Sequence, residues 1–111
     1  MNKLYWYIGK KIYELRNKCI NPCEVISNYY SYSYGNSYRF SRENVSIMRN
    51  FYLCFPIYID SYDKLSWSHF KLLIKIKNSN IRNFYLSIIL FCNSSVFELE
   101  NIINSSLYKR I

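Results

Sequence analysis

Alanine, threonine and glutamine are absent from this 111-residue chain. Alanine is the best helix former, so any helix here must be held by its packed face rather than by backbone propensity. Two glycines are too few for a glycine-rich phosphate cradle, which sets aside the P-loop and dinucleotide-binding classes. Two prolines, Pro22 and Pro56, bar few positions from helix. Histidine occurs once, at His69, and the four cysteines are Cys19, Cys23, Cys54 and Cys92. Only Cys19 and Cys23 are close in sequence, and a structural zinc needs four well-spaced ligands. The cysteines therefore read as small hydrophobes in a reducing cytoplasm. The longest apolar run, Phe84 to Cys92, is interrupted by Ser87 and falls far short of the ~20 residues of a membrane span. Met1 leads into amphipathic sequence rather than a leader-like apolar run. The expectation is a cytoplasmic protein with no membrane partner and no cofactor.

Acids are scarce too: 7 Asp and Glu stand against 15 Lys and Arg, giving a formal charge of +8. Between Asp63 and Glu98 there is no acid, while Lys64, Lys71, Lys75, Lys77 and Arg82 fall inside that interval. The first eighteen residues carry Lys3, Lys10, Lys11, Arg16 and Lys18 against Glu14 alone. Such an excess attracts polyanions. What the chain does have in quantity is tyrosine, isoleucine, asparagine, lysine and serine, a set that adenine- and thymine-rich codons encode. Half the residues are hydrophobic and a fifth aromatic, enough for one packed core.

The apolar spacing is helical almost throughout. Leu4, Ile8, Ile12 and Leu15 predict a helix over Lys3 to Lys18, with Gly9 in its middle marking a close helix contact or mere tolerance. Asn21-Pro22 reads as a break. Val25 to Tyr34 alternates like a strand at Ser31-Tyr32-Ser33-Tyr34, yet Val25, Ile26, Tyr29 and Tyr32 fit a helix, which is the reading adopted. Ser41 opens the next helix, striped by Val45, Met48, Phe51, Tyr52 and Phe55 and ended by Pro56. Asp60 to Asp63 is a short polar link. Ser66 or Ser68 caps a helix with Phe70 and Leu73 inward. Ile81, Phe84, Tyr85, Ile88, Ile89 and Cys92 mark a central helix, apolar also at Leu86 and Leu90. Ser95-Val96-Phe97-Glu98 is a capping box for a last helix bearing Leu99, Ile103 and Leu107. The fold class is all-α: a single domain, residues 1–111, forming a compact bundle of five or six helices.

Residues with chemical potential are few. His69 has no serine, cysteine or acid tied to it by a motif and reads as a structural hydrogen-bonding group. Asp60, Asp63 and Lys64 resemble an acid-acid-lysine set only loosely, because metal-dependent nucleases need acids converging on a cation and here they share one loop. The helix after Ser41 is different: Arg42, Ser46, Arg49 and Asn50 fall on one face. Arginine and asparagine are the residue types that read base edges or clamp phosphates, although a solvated face explains them as well. Lys71, Lys75 and Arg82 form a second basic set, suited to phosphates without sequence readout. Tyrosines could stack on unpaired bases or simply fill core and boundary.

Several stretches together look familiar. Leu4-Tyr5-Trp6-Tyr7-Ile8-Gly9-Lys10 comes first. Phe40-Ser41-Arg42-Glu43-Asn44 with Met48-Arg49-Asn50-Phe51-Tyr52 and Phe55-Pro56 follows. Then come Leu65-Ser66-Trp67-Ser68-His69-Phe70, Arg82-Asn83-Phe84-Tyr85, Ser95-Val96-Phe97-Glu98-Leu99 and Leu107-Tyr108-Lys109-Arg110. In this order they resemble the N-terminal domain of the YhcG family, a helical domain that in bacterial proteins precedes a PD-(D/E)XK nuclease-like domain. The resemblance covers nearly the whole chain and implies structural roles for Trp6, Gly9, Trp67, His69, Phe84, Tyr85, Leu107 and Tyr108. By the same comparison the chain starts inside the family's first long helix and stops where the nuclease-like domain would begin, so the family's catalytic residues have no counterparts. Ser94 stands where tryptophan is usual, and Phe97 and Asn101 where basic residues are frequent. The implied function is a non-catalytic, nucleic-acid-binding or targeting module of a nuclease-like system. Its partners would be DNA, and a separately encoded nuclease-like domain or a second copy of itself. A protein-interaction module and a decayed fragment without present function are the alternatives.

Overall fold

The computed structural model describes residues 2–34 and 38–106. Every regular element among them is helical: α1 (Asn2–Glu14), α2 (Pro22–Tyr34), a 3-10 turn at Tyr38–Phe40, α3 (Arg42–Cys54), a 3-10 turn at Asp60–Lys64, α4 (Trp67–Ile74), α5 (Ser79–Cys92) and α6 (Val96–Asn104). The all-α expectation is met. The chain divides into two compact units, Met1–Tyr58 and Ile59–Ile111.

In the first unit, α1 and α3 approach so closely that a side chain at Gly9 has nowhere to go. A Cβ built there would clash with the Met48 carbonyl oxygen and lie 2.6 Å from its carbon. Gly9 therefore trades helix propensity for close backbone packing. Around the crossing, Ile8, Ile12, Val45, Met48 and Phe51 are wholly buried. Trp6 fastens α1 to the end of α3: its indole Nε1–H donates to the Phe55 carbonyl at 2.8 Å, and its ring meets Tyr52 and Tyr58 edge-on. That bond takes up one of the carbonyls orphaned at a helix C-terminus. At the other end, Ser41 caps α3 by accepting from the Asn44 N–H, and Asn44 Nδ2 donates to the Arg39 carbonyl at 2.6 Å.

The boundaries of α1 and α2 differ from the expected ones. α1 ends at Glu14 rather than Lys18; the chain then tightens through turns in which the Leu15 carbonyl accepts from Lys18 and Cys19. The buried stripe of α1 runs through Tyr5, Ile8, Gly9 and Ile12, with Leu4 and Leu15 only half-buried. Pro22 does not precede α2 as a break but opens it, because proline at the first helical position forfeits no intrahelical bond. The inward face of α2 also differs. Val25, Tyr29 and Tyr32 are exposed, and the packed side is fixed by Ser27, whose hydroxyl donates to the Phe40 carbonyl at 2.6 Å, and by Tyr30, stacked on Phe40.

In the second unit, Phe70, Leu73, Ile89 and Leu99 are fully buried, with Tyr62, Leu65, Tyr85 and Leu86 close behind. The α5 stripe is rotated from the expected one. Leu86 faces the core, whereas Cys92 is exposed and Phe91 is 92% exposed. His69 ties this unit together. Its Nδ1 accepts from the Ser66 N–H at 3.0 Å, completing a capping box, and its Nε2 stands 3.0 Å from the Ser94 carbonyl. A backbone N–H can only donate and a carbonyl can only accept, so both bonds require the neutral tautomer protonated at Nε2. α5 ends on Asn93 in the left-handed region (φ 54°), with the Ser94 N–H returning to the Ile89 carbonyl, a Schellman closure. α6 opens with the expected capping box of Ser95 and Glu98. The Ser95 N–H, bonded at 2.9 Å, holds the Glu98 carboxyl below its usual range.

Gly9→Ala is expected to destabilise the first unit by about 2 kcal/mol, the overpacking cost exceeding the propensity gain. Urea denaturation followed by Trp6 fluorescence in a Trp67→Phe background measures it. His69→Ala removes an acceptor and a donor at once and should cost the second unit about 2 kcal/mol, read from the corresponding Trp67 signal in a Trp6→Phe background. Because Glu98 is depressed in the folded state, its contribution is fully present above the usual carboxylate range and is lost as pH falls through the lower folded value. Glu98→Gln should therefore flatten the acid limb of a helicity titration followed by circular dichroism.

Candidate nucleic-acid interface

The face of α3 proposed from spacing is only partly open. Arg42 is exposed, but Ser46, Arg49 and Asn50 are half-buried. The Arg49 guanidinium spans two neighbours: Nη2 donates to Ser46 Oγ at 3.3 Å and Nη1 lies 3.9 Å from Cys23 Sγ, the second residue of α2. α2 thus lies along the side of α3 that spacing alone leaves to solvent. Arg49 divides its guanidinium between Ser46 on its own helix and Cys23 on α2, and is only partly open to solvent.

The second basic set divides as well. Lys75 is exposed and Lys71 half-buried on α4, one helical turn apart. Arg82 does not share their surface. It is buried, and its Nη1 donates to the Ile76 carbonyl at 2.6 Å, tying the start of α5 to the chain leaving α4. A guanidinium supplies several donors to carbonyls that a helix C-terminus leaves orphaned, which suits Arg82 to this internal use.

A third cationic surface lies on α1 and was legible only as a local excess of charge. Lys3, Tyr7 and Lys11 are exposed and Lys10 half-buried, at helical spacing on the side away from Ile8 and Ile12. Three of the basic residues of this region sit over rings: Lys10 over Trp6 at 5.6 Å, Lys11 over Tyr7 at 5.3 Å and Arg16 over Tyr13 at 3.8 Å. Tyr7 and then Glu14, the latter 3.5 Å away, raise the Lys11 pKa above its usual value, so this ammonium stays charged. The aromatic partners fix where otherwise wandering side chains hold their charge.

The remaining candidates are structural in position. Gly9 and Trp6 form the α1–α3 contact, and His69 is held by two backbone groups. Trp67 and Phe84 are half-buried and Tyr85 is buried, with the Phe84 and Tyr85 rings edge to face at 5.3 Å. Leu107 and Tyr108 lie outside the described residues. Asp60, Asp63 and Lys64 lie together in one 3-10 turn, where the sequence reads as a short polar link. Among the described residues, no three His, Cys, Asp or Glu side chains come together in a way that could hold a metal ion. None of the described helices is long and apolar enough to cross a membrane. At Ser94 the feature that matters to the fold is the backbone carbonyl that takes the His69 ring.

Comparison with known proteins agrees with the sequence resemblance. No curated protein and no solved structure matches the chain. The family model described as the DUF1016 N-terminal domain matches residues 1–110. A match over that length, on a chain that is helical throughout its regular elements, establishes that this protein belongs to the DUF1016 N-terminal domain family, the YhcG-type helical domain.

Proposed function

We propose that the chain is a non-catalytic nucleic-acid-binding module, the targeting part of a nuclease-like system. The observation that carries this reading is the α1 surface, where Lys3, Lys10 and Lys11 share one side of a helix with the exposed Tyr7 ring. Lysines there meet phosphates and the ring offers a stacking face. The net charge of +8 and the Lys71–Lys75 pair on α4 support the same reading. Arg42 remains available on α3. Arg49 and Arg82 are assigned to holding the fold instead.

A second reading, self-association, is favoured by one feature. Val25, Tyr29 and Tyr32 form a row one turn apart on α2, and Tyr32 is 93% exposed. Light scattering behind size exclusion separates the two, since a concentration-independent monomer removes the second reading.

The binding reading predicts salt-dependent affinity for duplex DNA, measured by fluorescence anisotropy between about 50 and 200 mM salt. Replacing Lys3, Lys10 and Lys11 together by glutamine should flatten the slope of log affinity against log salt by about 2 to 3, at about one per lost phosphate contact. A slope unchanged by that substitution, or no measurable binding at 50 mM salt, overturns it.

A further inference from the structure

We infer that the groove between α4 and α6 receives one unpaired nucleotide, its phosphate on Lys71 and Lys75 and its base edge read by Glu100 and Asn104. This rests on the nucleic-acid-binding reading and deepens it from phosphate contact to base discrimination. The groove has a volume of about 420 Å³, with Leu72, Ile76 and Ile103 as its apolar lining. A contiguous hollow of about 230 Å³ continues it past Lys71 toward Ser68 and Val96. The two hollows share Leu72, Lys75 and Glu100 in their lining. The larger hollow has the volume of a small-ligand site but stays open on one side, as a groove does.

The charges are arranged by wall. α4 and its C-terminal cap contribute Lys71 and Lys75, and α6 contributes Glu100 and Asn104. Among the described residues, none of these four side chains enters an ion pair or a hydrogen bond. Two cations and one anion around a single groove, unspent on one another, suit a ligand that is anionic at one end and carries hydrogen-bond donors at the other. A nucleotide has that character: phosphate at one end, a flat apolar-faced base at the other, and an exocyclic amine on adenine or cytosine. A carboxylate accepts from such an amine, and an asparagine amide pairs with the adjacent edge. The aliphatic walls cover the faces of a base that has left its stack, as single-strand readers do with splayed bases. An acidic peptide shares the anionic character but leaves Glu100 facing like charge.

Anisotropy titrations of labelled dC12, dT12 and a duplex of equal length at low salt test this. Cytosine offers the exocyclic amine that thymine lacks, so dC12 should bind about ten-fold tighter than dT12 or better, which is the low end of what one hydrogen bond to a charged acceptor is worth. Glu100→Ala should bring the dC12-to-dT12 ratio close to one. Lys71→Gln with Lys75→Gln should weaken both strands. Equal affinity for dC12 and dT12 in the unaltered protein, a ratio that survives Glu100→Ala, or equal binding of a glutamate 12-mer overturns the inference. If the duplex still binds with its salt dependence while that ratio is one, only this groove assignment falls. If no nucleic acid binds at all, the broader reading falls with it.

Discussion

The contact on which the first unit depends is one of backbone against backbone. Gly9 lets α1 settle onto the Met48 peptide, and everything nearby is spaced accordingly. Ile8 and Ile12 reach the α3 stripe because the two helix axes come close there. Trp6 reaches the Phe55 carbonyl for the same reason. Glycine is the one residue that permits this approach, since alanine, serine and every larger residue carry the forbidden Cβ.

The second unit solves a related problem by other means. Its helices are short, eight to fourteen residues, and isolated helices of that length are marginal in water. Each is closed by a polar device at its start: Ser66 with His69, Asn78 on two backbone N–H groups, Ser95 with Glu98. Two buried polar side chains then link the segments. His69 reaches the α5–α6 turn, and Arg82 reaches the strand of chain leaving α4. The apolar core supplies the bulk of the stabilisation, and these bonds select one arrangement of it.

Helix existence, the caps at Ser41 and Ser95, Ser66 as one of two candidate caps, and the core residues of α3 and α4 could be read from spacing, because each is a local pattern. The faces of α2 and α5 could not. Both helices carry apolar residues on more than one side, so periodicity offers no unique direction, and the choice is made by tertiary bonds such as Ser27 to Phe40. The same limit applies to the candidate interface. Arg49 and Arg82 look like surface cations in a linear reading, yet one is covered by α2 and the other is internal. The cationic row on α1 was visible as charge, but its ring partners appear only once i and i+4 neighbours are placed side by side. The groove of α4 and α6 joins residues far apart in sequence, which no local pattern can report.

α2 sits lightly on its unit. Ser27 is the one fully buried residue among its described side chains, and Ser27, Tyr30 and the Arg49–Cys23 contact are its main attachments. Few buried apolar contacts are what a low local stability rests on, and α2 has few while α1 and α3 share the wholly buried Ile8, Ile12, Val45, Met48 and Phe51. What α2 covers is the Ser46 and Arg49 side of α3, so how much of that cationic side meets solvent is set by a helix held on with little apolar area.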